Sequence, residues 1–212
     1  MTDVIVCDDH ALVRRGIRDT LADTDDIRVV GEAGDYGELR ALMRATRCDV
    51  LVLDLQLPGR SGLDVIQALK EEGSTVKVLV VSMFPEDQYA LRVLRAGAYG
   101  YVNKGGDPAQ IVLAVRTVAQ GRRFVTPEMA QMLVDNLTAP NQGPLHESLS
   151  DRELQTLLMI ATGKRLSDIA FALNLSPKTV SVYRARLLEK LRLQNNAELT
   201  VYAIRHGLVG GQ

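Results

Sequence analysis

The sequence is poor in several features that mark particular classes of protein. Its 212 residues include only two cysteines, Cys7 and Cys48, and no Cys/His metal spacing, so we interpret both as free buried thiols without a disulfide framework. No window approaches the about 20 apolar residues that span a membrane. The first residues lack the basic and apolar regions of a signal peptide. We therefore expect a soluble, cytoplasmic protein with no membrane partner.

The chain also lacks the glycine-rich motifs of nucleotide sites. Neither a loop ending in Gly-Lys-Ser/Thr nor a Gly-x-Gly-x-x-Gly segment occurs. Its net charge of −1 is unevenly placed, since residues 1–121 carry 18 acidic and 14 basic residues and residues 122–212 carry 8 and 11. An acidic front half and a basic back half favour two different partners, the second a polyanion.

Five short apolar runs alternate with helical patterns in the front half. This alternation predicts an α/β fold, a doubly wound five-stranded parallel sheet with helices on both faces. The predicted strands are Val4–Cys7, Ile27–Ala33, Val50–Leu53, Val76–Val81 and Gly100–Val102. The predicted helices are Val13–Ala22, Gly37–Thr46, Gly62–Glu72, Pro85–Ala96 and Asp107–Gln120.

Reactive side chains stand where these runs end. The carboxyl edge of a parallel sheet is where open α/β folds bind ligands. Carboxylates that converge there repel one another, so a proton or a cation must lie among them, and Mg²⁺ prefers such oxygen ligands. Alone, each residue would be an ordinary cap, turn or loop residue. Together they predict a carboxylate, Asp54, that attacks a phosphoryl donor. The residues concerned are Asp8, Asp9, Asp54, Ser82 and Lys104.

A phosphohydrolase or phosphotransferase of the haloacid-dehalogenase type is the rival interpretation. Such an enzyme also uses an Asp nucleophile at a strand end, but it needs a second Asp two residues later as acid and base. Position 56 is Gln here. We therefore do not expect turnover of a small molecule.

The back half shows helical patterns only. A short helix at Pro127–Asn136 and a Pro-, Gly-, Asn- and Ser-rich linker at 137–149 precede a capping box that starts at Ser150. Leu166–Leu173 and Pro177–Leu191, joined by a tight turn, have the pattern of a helix-turn-helix. The predicted domains are a phosphoacceptor domain at 1–121, a helix and linker at 122–149, and a small all-α DNA-binding domain at 150–212.

The second helix of this pair has one apolar face. Val180, Leu187 and Leu191 share that face at 100° per residue, so it packs inward. Small side chains and a hydroxyl on the other side allow a close approach to base edges, and the cations would contact phosphates. The predicted DNA-contacting residues are Lys178, Thr179, Ser181, Val182, Ala185, Arg186 and Lys190.

Two sets of motifs resemble known families. VCDDH, LVLDLQLPGRSGLD, VVSMF and AGAYGYVNK resemble the receiver domain of bacterial two-component response regulators. LSDRELQTLLMIATGKRLSDIAFALNLSPKTVSVYRARLLEKL resembles the LuxR-type helix-turn-helix. Together, over residues 3–207, the chain resembles the NarL/FixJ class of response regulators.

The resemblance implies roles for individual residues. Asp54 would be phosphorylated by a sensor histidine kinase, and Asp8, Asp9 and the backbone carbonyl of Gln56 would join it in holding Mg²⁺. Ser82 would be the switch hydroxyl, and Tyr101 and Lys104 would respond to the phosphoryl group. The acyl phosphate would be lost through the chain's own catalysis.

The resemblance also implies an output on double-stranded DNA. Ser176–Val180 would open the recognition helix, and Glu198–His206 would be the helix through which two copies pair, as a homodimer formed on phosphorylation or on DNA. The alternative is a regulator that acts without phosphorylation, or a receiver that only docks a partner.

Overall fold

The computed structural model describes residues 1–138 and 145–209. The chain divides into two compact units, Met1–Thr138 and Ala139–Gln212. Within the described residues, no helix is both long and apolar enough to span a bilayer.

The first unit is built on a parallel sheet with the strand order β2-β1-β3-β4-β5. This confirms the predicted doubly wound fold of five strands. The strands are β1 Thr2–Cys7, β2 Ile27–Ala33, β3 Val50–Leu53, β4 Lys77–Ser82 and β5 Gly100–Asn103. The helices between and after them are α1 Ala11–Ala22, α2 Tyr36–Ala45, α3 Gly62–Glu71, α4 Glu86–Ala96 and α5 Pro108–Ala119.

The core of this unit lies on both faces of the central strands. All four residues of β3 are buried, as expected of a strand covered by helices on each side. One face packs α1 and α5 against β1, β3 and β4, through Ile17, Leu21, Val115 and Val118 among others. The strands therefore hold their carboxyl ends at fixed positions along one edge of the sheet.

The segment after α5 forms hydrogen bonds with α4 and with the residues between α4 and β5. The Phe124 N–H donates to the Tyr99 carbonyl at 2.8 Å, and Arg123 donates to the Ala98 carbonyl, just past α4, at 3.1 Å. Thr126 hydrogen-bonds Glu86 in the first turn of α4 and accepts from the Met129 N–H at 3.2 Å.

Helix α6, Pro127–Thr138, therefore begins in the first unit and packs along α4. The sequence placed 122–138 in a separate connecting segment, whereas the structure includes these residues in the first unit. The central part of the predicted linker, 139–144, lies outside the described residues.

The described part of the second unit is helical. A 3-10 turn at Leu145–Ser148 precedes α7 Asp151–Ala161, α8 Leu166–Ala172, α9 Pro177–Leu191 and α10 Asn196–Arg205. The predicted capping box is present, because Ser150 accepts from the Glu153 N–H and Glu153 accepts from the Ser150 N–H. Asn174 forms the turn between α8 and α9 with a left-handed φ of 55°. Asn adopts that conformation more readily than most residues.

Candidate functional site

The ends of β1, β3 and β5 bring two carboxylates and one ammonium group together. The Lys104 Nζ lies 2.6 Å from Asp8 Oδ2 and 2.8 Å from Asp54 Oδ2. All three side chains are 5% exposed or less. Asp8 and Asp54 are neighbours because β1 and β3 pair directly, with Cys7 opposite Leu53. The predicted convergence of these three residues is present in the structure.

The charges in this pocket do not balance. Burial raises the pKa of Asp54, the Lys104 ammonium lowers it, and the nearby charge of Asp8 raises it again. The same burial, with the two carboxylates nearby, raises the pKa of the Cys7 thiol to about 12. Cys7 is therefore a neutral, buried thiol, whereas the carboxylates need a further positive charge.

The donor atoms around Asp54 fit a hard divalent cation. Ligand atoms of Asp8, Asp9, His10 and Asp54 all lie within 4.8 Å of one another. Asp54 Oδ1 is buried and accepts no hydrogen bond from the described residues. Oxygen donors with an uncompensated negative charge match the preference of Mg²⁺. The Gln56 backbone N–H also lowers the pKa of the Asp54 carboxyl.

His10 is the member of this group that the sequence did not single out. Its Nδ1 lies 2.5 Å from Asp9 Oδ1, and its side chain is 62% exposed. Imidazole is a poorer ligand for Mg²⁺ than carboxylate, so we place His10 beside the metal ligands and not among them. Only its position next to two acidic residues in the sequence could have indicated it.

A glycine shapes the loop that carries Asp54. The Gly62 N–H donates to the Leu55 carbonyl at 2.9 Å, which folds the start of α3 back against the end of β3. A Cβ on Gly62 would lie 2.5 Å from the Asp54 carbonyl oxygen and 2.8 Å from the Leu55 Cα. Both of these atoms belong to the backbone and cannot rotate away. Only glycine fits this close approach.

Ser82 and Tyr101 both lie inside the first unit. Ser82 ends β4 and is completely buried, as is Tyr101 on β5. The Tyr101 hydroxyl donates to the Phe84 carbonyl at 2.6 Å, and the Ser82 hydroxyl accepts from the Phe84 N–H at 3.4 Å. Burial raises the pKa of Tyr101 well above its ordinary value, so the phenol keeps its proton. The Lys104 N–H donates to the Ser82 carbonyl at 2.9 Å and links β4 to β5 at this end.

Helix α9 presents a polar and small-residue face to solvent. Val180, Leu187 and Leu191 are buried, as their helical spacing predicted. Thr179 is half-buried, and its hydroxyl lies 2.8 Å from that of Ser176 at the start of the helix. The exposed residues among those predicted to meet DNA are Lys178, Ser181, Val182, Ala185, Arg186 and Lys190.

Lys190 differs from the other cations on this helix. Its Nζ lies 2.7 Å from Glu153 Oε2, and the Glu153 side chain is only 3% exposed. Burial alone would raise the pKa of Glu153, but hydrogen bonds from Lys190 and Ser150 outweigh burial and hold that pKa below its usual value. The Lys190 ammonium group therefore already pairs with a carboxylate of its own domain. A phosphate contact by Lys190 stays a prediction.

Comparisons with known proteins give matches for both halves of the chain. The family described as response regulator receiver domain matches residues 4–116, and bacterial regulatory proteins, luxR family, matches 147–203. The chain is 39% identical over 214 residues to the response regulator UvrY of Escherichia coli O6:H1, covering 100% of this chain and 98% of that protein. It is 41% identical over 211 residues to the response regulator GacA of Pseudomonas aeruginosa, covering 99% and 98%.

A solved structure of similar architecture carries DNA. RcsB from Salmonella enterica serovar Typhimurium, bound to promoter rprA in the presence of phosphomimetic BeF3⁻, aligns with a TM-score of 0.64 and 28% identity. The alignment covers 95% of this chain and 97% of that one.

Proposed function

The chain belongs to the two-component response regulators that join a receiver domain to a LuxR-type DNA-binding domain, and we propose that phosphorylation of Asp54 controls its binding to DNA. The observation that carries this proposal is the buried Lys104, which pairs with both Asp8 and Asp54. The Asp54 carboxylate, with Oδ2 on Lys104 and Oδ1 without a hydrogen bond from the described residues, is the proposed attacking group.

The proposed reaction is a phosphoryl transfer to a carboxylate. One oxygen of the Asp54 carboxylate attacks the phosphorus atom of a phosphohistidine on a sensor kinase or of a small acyl phosphate. The bond to the leaving group breaks with its electron pair, and an acyl phosphate forms on Asp54. A Mg²⁺ ion held by Asp8, Asp9, Asp54 and the Gln56 carbonyl would neutralise charge between the carboxylate and the phosphoryl group.

Three side chains would then respond to the new group. The Lys104 ammonium moves from the carboxylate to a phosphoryl oxygen, and Ser82 donates a hydrogen bond to another. Because Tyr101 hydrogen-bonds the same loop, its packing changes with Ser82. The chain's own residues then catalyse hydrolysis of the acyl phosphate, and no other substrate is turned over.

The proposed output is binding of two copies to DNA in the cytoplasm. Helix α9 enters the major groove, its small residues read base edges, and Lys178 and Arg186 contact phosphates. The DNA-bound RcsB structure with a phosphomimetic supports this arrangement. Phosphorylation shifts the receiver between two packings and favours the homodimer.

The phosphorylation site is tested by intact mass. We expect the native chain, incubated with Mg²⁺ and acetyl phosphate, to gain one phosphoryl group, and Asp54→Asn to gain none. Rapid loss of the adduct would show as phosphate release in a parallel assay. An unmodified native chain that also releases no phosphate would refute the proposal.

The DNA-binding face is tested by salt-dependent affinity. Lys178→Ala and Arg186→Ala should weaken binding to all sequences, and each should reduce the salt slope by about 1. Ser181 or Val182 substitutions should instead change sequence preference. Lys190→Met is measured as well, because its ammonium pairs with Glu153 and its loss should lower the stability of the domain, while its salt slope tests the predicted phosphate contact. Unchanged binding by Lys178→Ala would remove this face from consideration.

A further inference from the structure

Two hydrogen-bond donors meet at one backbone carbonyl next to the phosphoacceptor pocket. The Phe84 carbonyl accepts from the Tyr101 hydroxyl at 2.6 Å and from the Asn103 Nδ2 at 3.0 Å. Phe84 lies two residues after Ser82, in the loop that follows β4, and Asn103 ends β5 immediately before Lys104. The Asn103 side chain thus connects the end of β5 to the loop that follows β4.

The oxygen of the same Asn103 amide contacts the loop that follows β5. Asn103 Oδ1 accepts from the Gly105 N–H at 2.8 Å. A carbonyl can only accept and an N–H can only donate, so these two partners fix which way the amide points. A Cβ on Gly105 would lie 3.1 Å from Asn103 Oδ1, so the glycine leaves room for this contact.

Lys104 is therefore held on both sides. The neighbouring Asn103 side chain donates to the Phe84 carbonyl and accepts from the Gly105 N–H. The Lys104 N–H itself donates to the Ser82 carbonyl at 2.9 Å. The ammonium group is a compact charge on a flexible four-carbon stem, so where it acts depends on how firmly its backbone is placed.

We propose that Asn103 is a positioning residue for phosphoryl transfer, whose amide ties the loop after β4 to the loop after β5 and so fixes where Lys104 meets the phosphoryl group. This inference rests on the proposed roles of Asp54 and Lys104. Asn103 itself acts through Lys104. A group displaced by about 1 Å from its working position can lose up to about 100-fold in rate, so a loosened loop has a measurable effect.

The first test compares phosphorylation rates in the full chain. Asn103→Asp keeps the acceptor for Gly105 but loses the donor to Phe84, and Asn103→Leu loses both. With acetyl phosphate and Mg²⁺, followed by intact mass, we expect about a tenfold slower rate for Asn103→Asp and a further decrease for Asn103→Leu. Gln110→Glu is the matched control, because it adds the same charge at an exposed position near Gly106 and breaks neither bond.

The second test asks whether Asn103 acts through Lys104. In a Lys104→Ala background, where the ammonium is absent, Asn103→Asp should leave the slow residual rate unchanged. The same tenfold loss in both backgrounds would show a general structural role and overturn the inference. Equal rates for the native chain and both Asn103 variants would also overturn it, while leaving the proposed function intact. A native chain that takes up no phosphoryl group would refute both.

Discussion

The buried Asp54 carboxylate, the proposed phosphoacceptor, is expected to lower the folding stability of the first unit. Asp54 shares one ammonium group with Asp8, and burial raises its pKa. Its ionised form therefore costs folding free energy that a neutral side chain of the same shape would not. In Mg²⁺-free buffer at neutral pH, we expect Asp54→Asn to stabilise the receiver by about 1 kcal/mol in urea unfolding.

The pH dependence of stability is a second test of the Asp54→Asn prediction. The folded-state pKa of Asp54 lies above its ordinary value of 3.8, so between the two values the folded protein binds more protons than the unfolded chain. The stability that this group contributes is complete below pH 3.8 and is lost as the pH rises through the folded-state pKa. The advantage of Asp54→Asn should thus disappear in acid. Added Mg²⁺ should stabilise the native chain more than the variant, and the opposite order would contradict the proposed metal site.

At the scale of elements, Thr126 helps to join α6 to the receiver. Thr126 bonds Glu86 on α4 and accepts from the Met129 N–H of α6, and Met129 is 1% exposed. We expect Thr126→Val, which keeps the volume and removes both bonds, to lower receiver stability by about 1 kcal/mol. Hydrogen exchange should show faster exchange of the Met129 amide.

The matched control for this change is Thr117→Val. Thr117 is a half-buried helical threonine whose hydroxyl donates to the Leu113 carbonyl of its own helix at 2.8 Å. Its loss should change stability little, because such a bond within a helix competes with water. If Thr126→Val were as mild as Thr117→Val, α6 would not depend on this contact.

Local sequence patterns predict the helices and strands but not the contacts between distant side chains. Strands and helices with regular apolar periods, and the polar residues that end them, follow from local patterns, which is why Asp54 and Lys104 were found together. The contacts of Thr126 with Glu86 and of Lys190 with Glu153 join residues 40 and 37 positions apart. Such pairs carry no local signal, because either residue alone looks like an exposed polar side chain. Asn103 was missed for the same reason.

At the scale of the whole molecule, the charge follows the two compact units. Residues 1–138 carry 20 acidic and 16 basic residues, and residues 139–212 carry 6 and 9. The difference between the halves is the same as for a boundary at 121, so the unit that contains α9 has the net positive charge that DNA attracts. Three extra positive charges give weak attraction, and a second copy on the same DNA would raise the affinity much further.

The outer face of α10 is where we expect that second copy to pair. Val201 and Ile204 are 47% and 57% exposed, and Val201 lines a mainly apolar hollow with Leu193 and Ala197. Val201→Glu should leave phosphorylation unchanged but weaken binding to a two-site DNA by about 100-fold, since only one domain would then engage at a time. The control is Gln194→Glu, which adds the same charge at an exposed residue before α10. Sedimentation with and without beryllofluoride and DNA would show the paired species. Equal dimer populations with and without beryllofluoride would contradict pairing driven by phosphorylation. A Val201→Glu variant that still forms dimers on DNA would show that the contact lies elsewhere.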